Sequence, residues 1–183
     1  MRVNYWSAGV RAFFSKYVYA GQRNLSTAVA VFLVSSTVGL TGAVAQDLPL
    51  PRFASLKADE VNMRAGPGQS YPVEWVYTRK GLPVEIIAEY DQWRKIQDIE
   101  GTVGWIHRVM LSGQRTVMVD GVDVVIARDD PSESAYPVFR AEPGVQGILL
   151  SCEDDWCRVD VNGAKGWLPM VSLWGVYDSD NAE

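Results

Sequence analysis

The sequence holds one histidine and two cysteines in 183 residues, and no acidic residue among its first 45. Each scarcity excludes something. Histidine catalysis needs a nucleophile or carboxylate placed beside the ring. His107 instead follows Trp105-Ile106 and precedes Arg108 on a short turn, which points to a capping or surface role. One histidine and two cysteines are too few for a zinc-type ligand set, so no metal is expected. The nucleophile-elbow pattern Gly-x-Ser-x-Gly is absent. Asp129-Asp130 and Glu153-Asp154-Asp155 fall in turns and lack the calcium-loop pattern. They read as solvated turn acids rather than as glycosidase carboxylates or calcium ligands. No sustained helical period follows Ala45, so helical architectures are excluded.

The first 45 residues carry four of the 17 basic residues and none of the 22 acidic ones. From Leu25 to Ala45 there is no charge, and the run ends Ala43-Val44-Ala45. A basic start, an apolar stretch and small residues before a cut site describe a secretory signal, residues 1–45, cleaved after Ala45. The alternative is an uncleaved N-terminal anchor facing the periplasm, although the many Ser, Thr and Gly residues in the run make a poor lipid-facing helix. After cleavage no membrane span is expected. The remaining 138 residues hold 13 basic against 22 acidic side chains, a net charge of −9. With no basic run to offset it, that balance excludes nucleic acid and anionic lipid surfaces as partners.

What is present is a repeat. Val61-Asn62-Met63-Arg64-Ala65-Gly66-Pro67 opens one copy and Gly104-Trp105-Ile106 closes it. Val124-Val125-Ile126-Ala127-Arg128-Asp129-Asp130-Pro131 opens the other and Gly166-Trp167-Leu168 closes it. A period of about 60 residues exceeds a solenoid unit, so each copy can be a small domain. Its runs are short, rich in β-branched and aromatic residues, and bounded by Gly, Pro, Asp or Asn, the pattern of an all-β barrel or sandwich. The expected division is a two-proline linker at 46–52, a first barrel at 53–119 closing on a strand from Arg115 to Val119, a second barrel at 120–177, and an acidic tail at 178–183 that should fray. Cys152 and Cys157 flank Glu153-Asp154-Asp155-Trp156. If those four residues form a hairpin loop, the thiols face each other and an oxidising compartment would bond them. Otherwise they are two half-buried strand cysteines.

Asn62-Met63-Arg64-Ala65-Gly66-Pro67-Gly68 with Tyr71-Pro72, then Asp91-Gln92-Trp93-Arg94-Lys95-Ile96, then Gly104-Trp105-Ile106, closely resembles the bacterial SH3 domain, a small five-stranded barrel. The second copy matches at Trp156-Cys157-Arg158-Val159 and Gly166-Trp167-Leu168, but Asp130-Pro131-Ser132 replaces Gly66-Pro67-Gly68. The resemblance implies an all-β fold of two tandem SH3-like barrels, exported by a Gram-negative bacterium. It implies a non-catalytic binding module of the envelope, without a cofactor. Its partner would be a peptide, an envelope protein or peptidoglycan. The alternative is a cell-wall hydrolase, or its accessory, working through acidic residues; two barrels and a linker leave no room for a catalytic domain. Family members gather an aromatic groove near the first loop, which singles out Tyr71, Trp75 and Tyr77, with Tyr136 beside Pro137 as the second copy's counterpart to Tyr71. Trp93 either closes a barrel end or stacks on a ligand. Arg64 either braces the loop or meets a ligand carboxylate.

Overall fold

Alternating apolar residues between turn formers produce fourteen strands in a computed structural model that describes residues 48–182. The expected signal or anchor lies outside the described residues. Among the described residues no helix is long and apolar enough to cross a membrane. Strands β1 (Arg52–Leu56), β2 (Val61–Arg64), β3 (Val73–Tyr77), β4 (Pro83–Tyr90), β5 (Trp93–Gln97), β6 (Val103–His107) and β7 (Leu111–Ser112) form one sheet in the order β3-β2-β6-β5-β4-β1-β7. Strands β8 (Thr116–Val119), β9 (Val125–Arg128), β10 (Pro137–Ala141), β11 (Gln146–Glu153), β12 (Trp156–Val161), β13 (Ala164–Pro169) and β14 (Leu173–Trp174) form the second in the order β10-β9-β13-β12-β11-β8-β14. The two orders are the same, strand for strand, so the sequence repeat is a topological repeat. The fold is all-β, two small barrel-like sheets in tandem.

Each sheet wraps its own core. Leu56, Val61, Met63, Ile96 and Ile106 are buried in the first; Val117, Ala127, Cys157, Val159 and Leu168 in the second. A fully buried side chain of this size contributes about 2 kcal/mol by leaving water. Even the turn bonds recur. Gly81 N donates to Leu56 O at 2.7 Å, and Gly144 N to Val119 O at 2.8 Å.

Three expectations change. The strand expected to close the first copy, Arg115 to Val119, opens the second. Thr116, Val117 and Met118 pair with β11, and Met118 and Val119 pair with β14. The cysteine hairpin has two loop residues rather than four. Glu153 pairs with Trp156, and Asp154 and Asp155 make the turn at φ 47° and 64°. Aspartate tolerates that left-handed backbone, and a tight two-residue hairpin requires it. Cys152 and Cys157 are therefore directly opposed and joined by a disulfide. The acidic tail does not fray at its start. It forms a 3-10 turn, Asp178–Ala182, and Asp180 accepts hydrogen bonds from Arg115 Nη1 and Nη2 at 3.1 and 2.7 Å.

Burial alone would raise the Asp180 carboxyl, but the Arg115 guanidinium and the Tyr177 amide outweigh it and hold the group below its usual value. A depressed carboxyl stabilises the fold above its unfolded-state pKa and loses that contribution as pH falls through the folded one. Asp180→Asn is therefore expected to lower stability at neutral pH by at most about 1 kcal/mol, the pair being partly in solvent. The gap between variant and native chain should close in strong acid, as read by urea unfolding across pH.

The two barrels pack directly on each other. Phe53 is buried between Trp174, with ring centroids 5.2 Å apart and edge-on, and Tyr177 at 4.6 Å, with the Arg115 guanidinium 5.7 Å from its centroid. Thr116 Oγ1 donates to Gly81 O at 2.7 Å, and the Tyr177 hydroxyl donates to Glu85 Oε1 at 2.7 Å.

Candidate functional site

The first loop is built the same way in both copies from different residues. Arg64 Nη1 donates to Tyr71 O at 2.7 Å, and Arg128 Nη1 to Ala135 O at 2.7 Å. Gly68 N donates to Gly66 O, and Ser132 N to Asp130 O. Arg64 also donates to Gln69 O, so its guanidinium holds loop carbonyls. These bonds align Tyr71 with Ala135. Tyr136, expected to stand in for Tyr71, occupies the place of Pro72 instead.

The loop substitutions are linked. The Tyr71 ring lies so close over Gly66 that a Cβ there would overlap it, and a Cβ on Gly68 would come within 3.3 Å. Where Ala135 removes the ring, Asp130 and Ser132 fit. The glycines thus serve the ring as well as the turn.

The remaining expected site residues separate into two clefts, and Tyr71 lines neither. Trp75 and Tyr77, whose ring centroids are 6.5 Å apart, line a cleft of about 280 Å³ with Leu82, Ile99 and Met118, with Arg79, Asp98 and Glu100 among its polar residues. Trp75 is 52% exposed on the edge strand β3, whereas Tyr77 is buried. The Tyr77 hydroxyl donates to Asp98 Oδ2 at 2.9 Å. Burial first, then that bond and the charges of Asp98 and Glu100, push the hydroxyl well above the usual tyrosine range, so it remains a neutral donor. Asp98 Oδ1 accepts from the amides of Glu100 and Thr102, so one oxygen of this carboxylate serves its own turn and the other holds Tyr77.

Arg64 and Trp93 line a smaller groove of about 170 Å³ with Asn62, Gln69, His107 and Met110. Trp93 is buried and stands edge-on to His107 with centroids 5.2 Å apart. His107 Nδ1 accepts from Val109 N at 3.4 Å and caps the 3-10 turn Arg108–Met110. Sequence reasoning missed Leu82, Ile99 and Met118 in the larger cleft. Met118 belongs to β8, and only its membership of the second sheet brings it there. Among the described residues no cluster of His, Cys, Asp and Glu could hold a metal ion.

One cross-strand position takes different chemistry in each copy. Glu89 pairs with Arg94 across β4 and β5, Nε to Oε1 3.1 Å. Cys152 pairs with Cys157 at the same place across β11 and β12.

Two small barrels, each with an Arg-braced first loop and a closing Gly-Trp strand, define the class of fold. The model of the family described as "Bacterial SH3 domain" matches residues 57–113 and 121–175. The chain belongs to the bacterial SH3 domain family. It is also similar to the Bacillus subtilis (strain 168) protein named "Putative N-acetylmuramoyl-L-alanine amidase YrvJ", with 26% identity over 125 residues. That match covers 63% of this chain and 24% of the relative, so the chain spans about a quarter of the relative's length. Among solved structures, NlpC1 of Trichomonas vaginalis aligns at 15% identity and a TM-score of 0.32, covering 70% of this chain and 47% of that one. An NlpC/P60 family protein of Bacillus cereus ATCC 10987 aligns at 15% identity and 0.31, covering 67% and 55%.

Proposed function

We propose that the chain is an exported, non-catalytic binding module of the cell envelope whose first barrel holds a peptidoglycan-type ligand, with an envelope peptide or protein as the competing occupant. The observation that carries this reading is Trp75. It is half exposed on an edge strand, beside a cleft with an apolar floor and a polar rim. A sugar ring or a short peptide offers the matching surfaces, one apolar face and a hydrogen-bonding edge. At the equivalent position the second barrel has Phe139, paired with Ala127 and partly buried against the core. The relative named as an amidase supports the envelope setting. Two of the acids at these places support a non-catalytic role: Asp98 is engaged by its turn and by Tyr77, and Asp129 Oδ1 accepts from Tyr136 N.

The intact chain is expected to sediment with purified cell-wall sacculi. Trp75→Ala should reduce the retained fraction roughly tenfold, as loss of an anchoring aromatic does. Tyr71→Ala should leave it unchanged, because Tyr71 lines neither cleft. If sacculi do not retain the intact chain, the peptidoglycan reading fails. If Trp75→Ala binds as the native chain does, the cleft is the wrong site.

A further inference from the structure

We infer that the first barrel carries a second, separate site: a cationic pocket for a small anion, a carboxylate or phosphate attached to an apolar group. A cavity of about 520 Å³ is lined by Arg52, Lys57, Arg94 and Arg108 and by no acidic residue. Phe53, Ile86 and Leu111 supply an apolar floor. Four cations around one cavity repel one another, and a chain with a net charge of −5 does not collect them by composition.

The repeat provides the control. Matching strand pairs place Arg115, Asp120, Cys157 and Met170 at the positions of Arg52, Lys57, Arg94 and Arg108. Only one cation survives there, and Arg115 is occupied by Asp180 and by Gly175 O. The same barrel therefore folds without the cations; in the first copy Arg52 and Arg94 pair with Glu89, and among the described residues Lys57 and Arg108 are in no ion pair.

Their partners leave donors available. Glu89, which stands outside the lining, accepts from both Arg52 and Arg94, so two guanidiniums share one carboxylate. Arg94 Nη1 donates to the carbonyls of Asp91 and Trp93, and Arg108 Nε donates to Gln92. Among the described residues, Arg94 Nη2, both terminal nitrogens of Arg108 and Lys57 Nζ have no partner. Planar guanidiniums beside an ammonium suit an oxyanion, and the floor suits an apolar substituent.

The test titrates the intact chain with phenyl phosphate, with N-acetyl-leucine, and with the neutral N-acetyl-leucinamide, followed by calorimetry and amide NMR shifts. At least one anion should bind, with shifts at Lys57 and Arg108, and the amide should not. Which anion binds distinguishes a phosphate source from a carboxylate source. Lys57→Gln with Arg108→Gln, both exposed, should weaken binding roughly tenfold or more and flatten its salt dependence, with an unchanged melting temperature. Trp75→Ala should bind the anion as the native chain does, which separates this site from the aromatic cleft. The inference is overturned if neither anion binds, if the amide binds equally, or if the double variant binds as tightly as the native chain.

Discussion

Gly175→Ala is expected to destabilise the second barrel by about 3 kcal/mol, combining backbone strain with a clash that cannot relax cheaply. Gly175 sits at φ 111°, outside the range of an ordinary side chain. A Cβ there would lie 2.6 Å from the carbonyl oxygen of Thr116 and 3.2 Å from the Cα of Val117. Both atoms are backbone of β8, so making room means moving the strand that opens the sheet. The Gly175 carbonyl also accepts from Arg115 Nη2 at 2.7 Å, and a shifted strand would disturb that bond as well. Gly121→Ala separates the two causes: φ is 102° there, but no atom lies within 4 Å of the added Cβ. It should cost about 1 kcal/mol, the strain alone. Equal losses by urea unfolding would show that the clash contributes nothing.

Phe53→Ala should cost about 3 kcal/mol or more and split unfolding into two transitions. The ring is buried at the junction of the barrels, between Trp174 and Tyr177 and beneath Arg115. Removing it empties the contact that couples two separately cored sheets. The Tyr177 hydroxyl bond to Glu85 would persist but lose its packing. Near-ultraviolet circular dichroism should report the change first, since Trp174 and Tyr177 lose their fixed surroundings. A single transition at nearly native stability would mean that the hydrogen bonds across the junction suffice.

The repeat was legible because Gly104-Trp105 and Gly166-Trp167 stand at matching places in chains of β-branched residues, and local alternation then implies the strands. The ownership of Thr116–Val119 was not legible. A run of four strand-forming residues fits the end of one barrel or the start of the next, and only its pairing with Gln146–Ile148 decides. The Tyr71 counterpart was misplaced by one residue. Loop position is set by the Arg128 bond to Ala135, a backbone contact that the aromatic character of the neighbouring Tyr136 does not encode. Of the expected site residues, Trp75 and Tyr77 meet in one cleft and Arg64 and Trp93 in another, a separation that spacing along the chain does not encode. The cationic pocket was hidden for a simpler reason. Its members stand at 52, 57, 94 and 108, so no basic run exists, and the negative net charge masks a local excess of the opposite sign.

The position filled by Glu89–Arg94 in one barrel and by Cys152–Cys157 in the other makes the two halves respond to different surroundings. Dissolved salt weakens an ion pair and leaves a disulfide alone, whereas a reductant does the reverse. The two chemistries also fail differently. A parted Glu89–Arg94 pair leaves half-buried charges, but opened Cys152 and Cys157 are small buried thiols that pack as apolar groups. Opening the bond therefore leaves the second barrel a packed pair of thiols across β11 and β12 rather than two stranded charges.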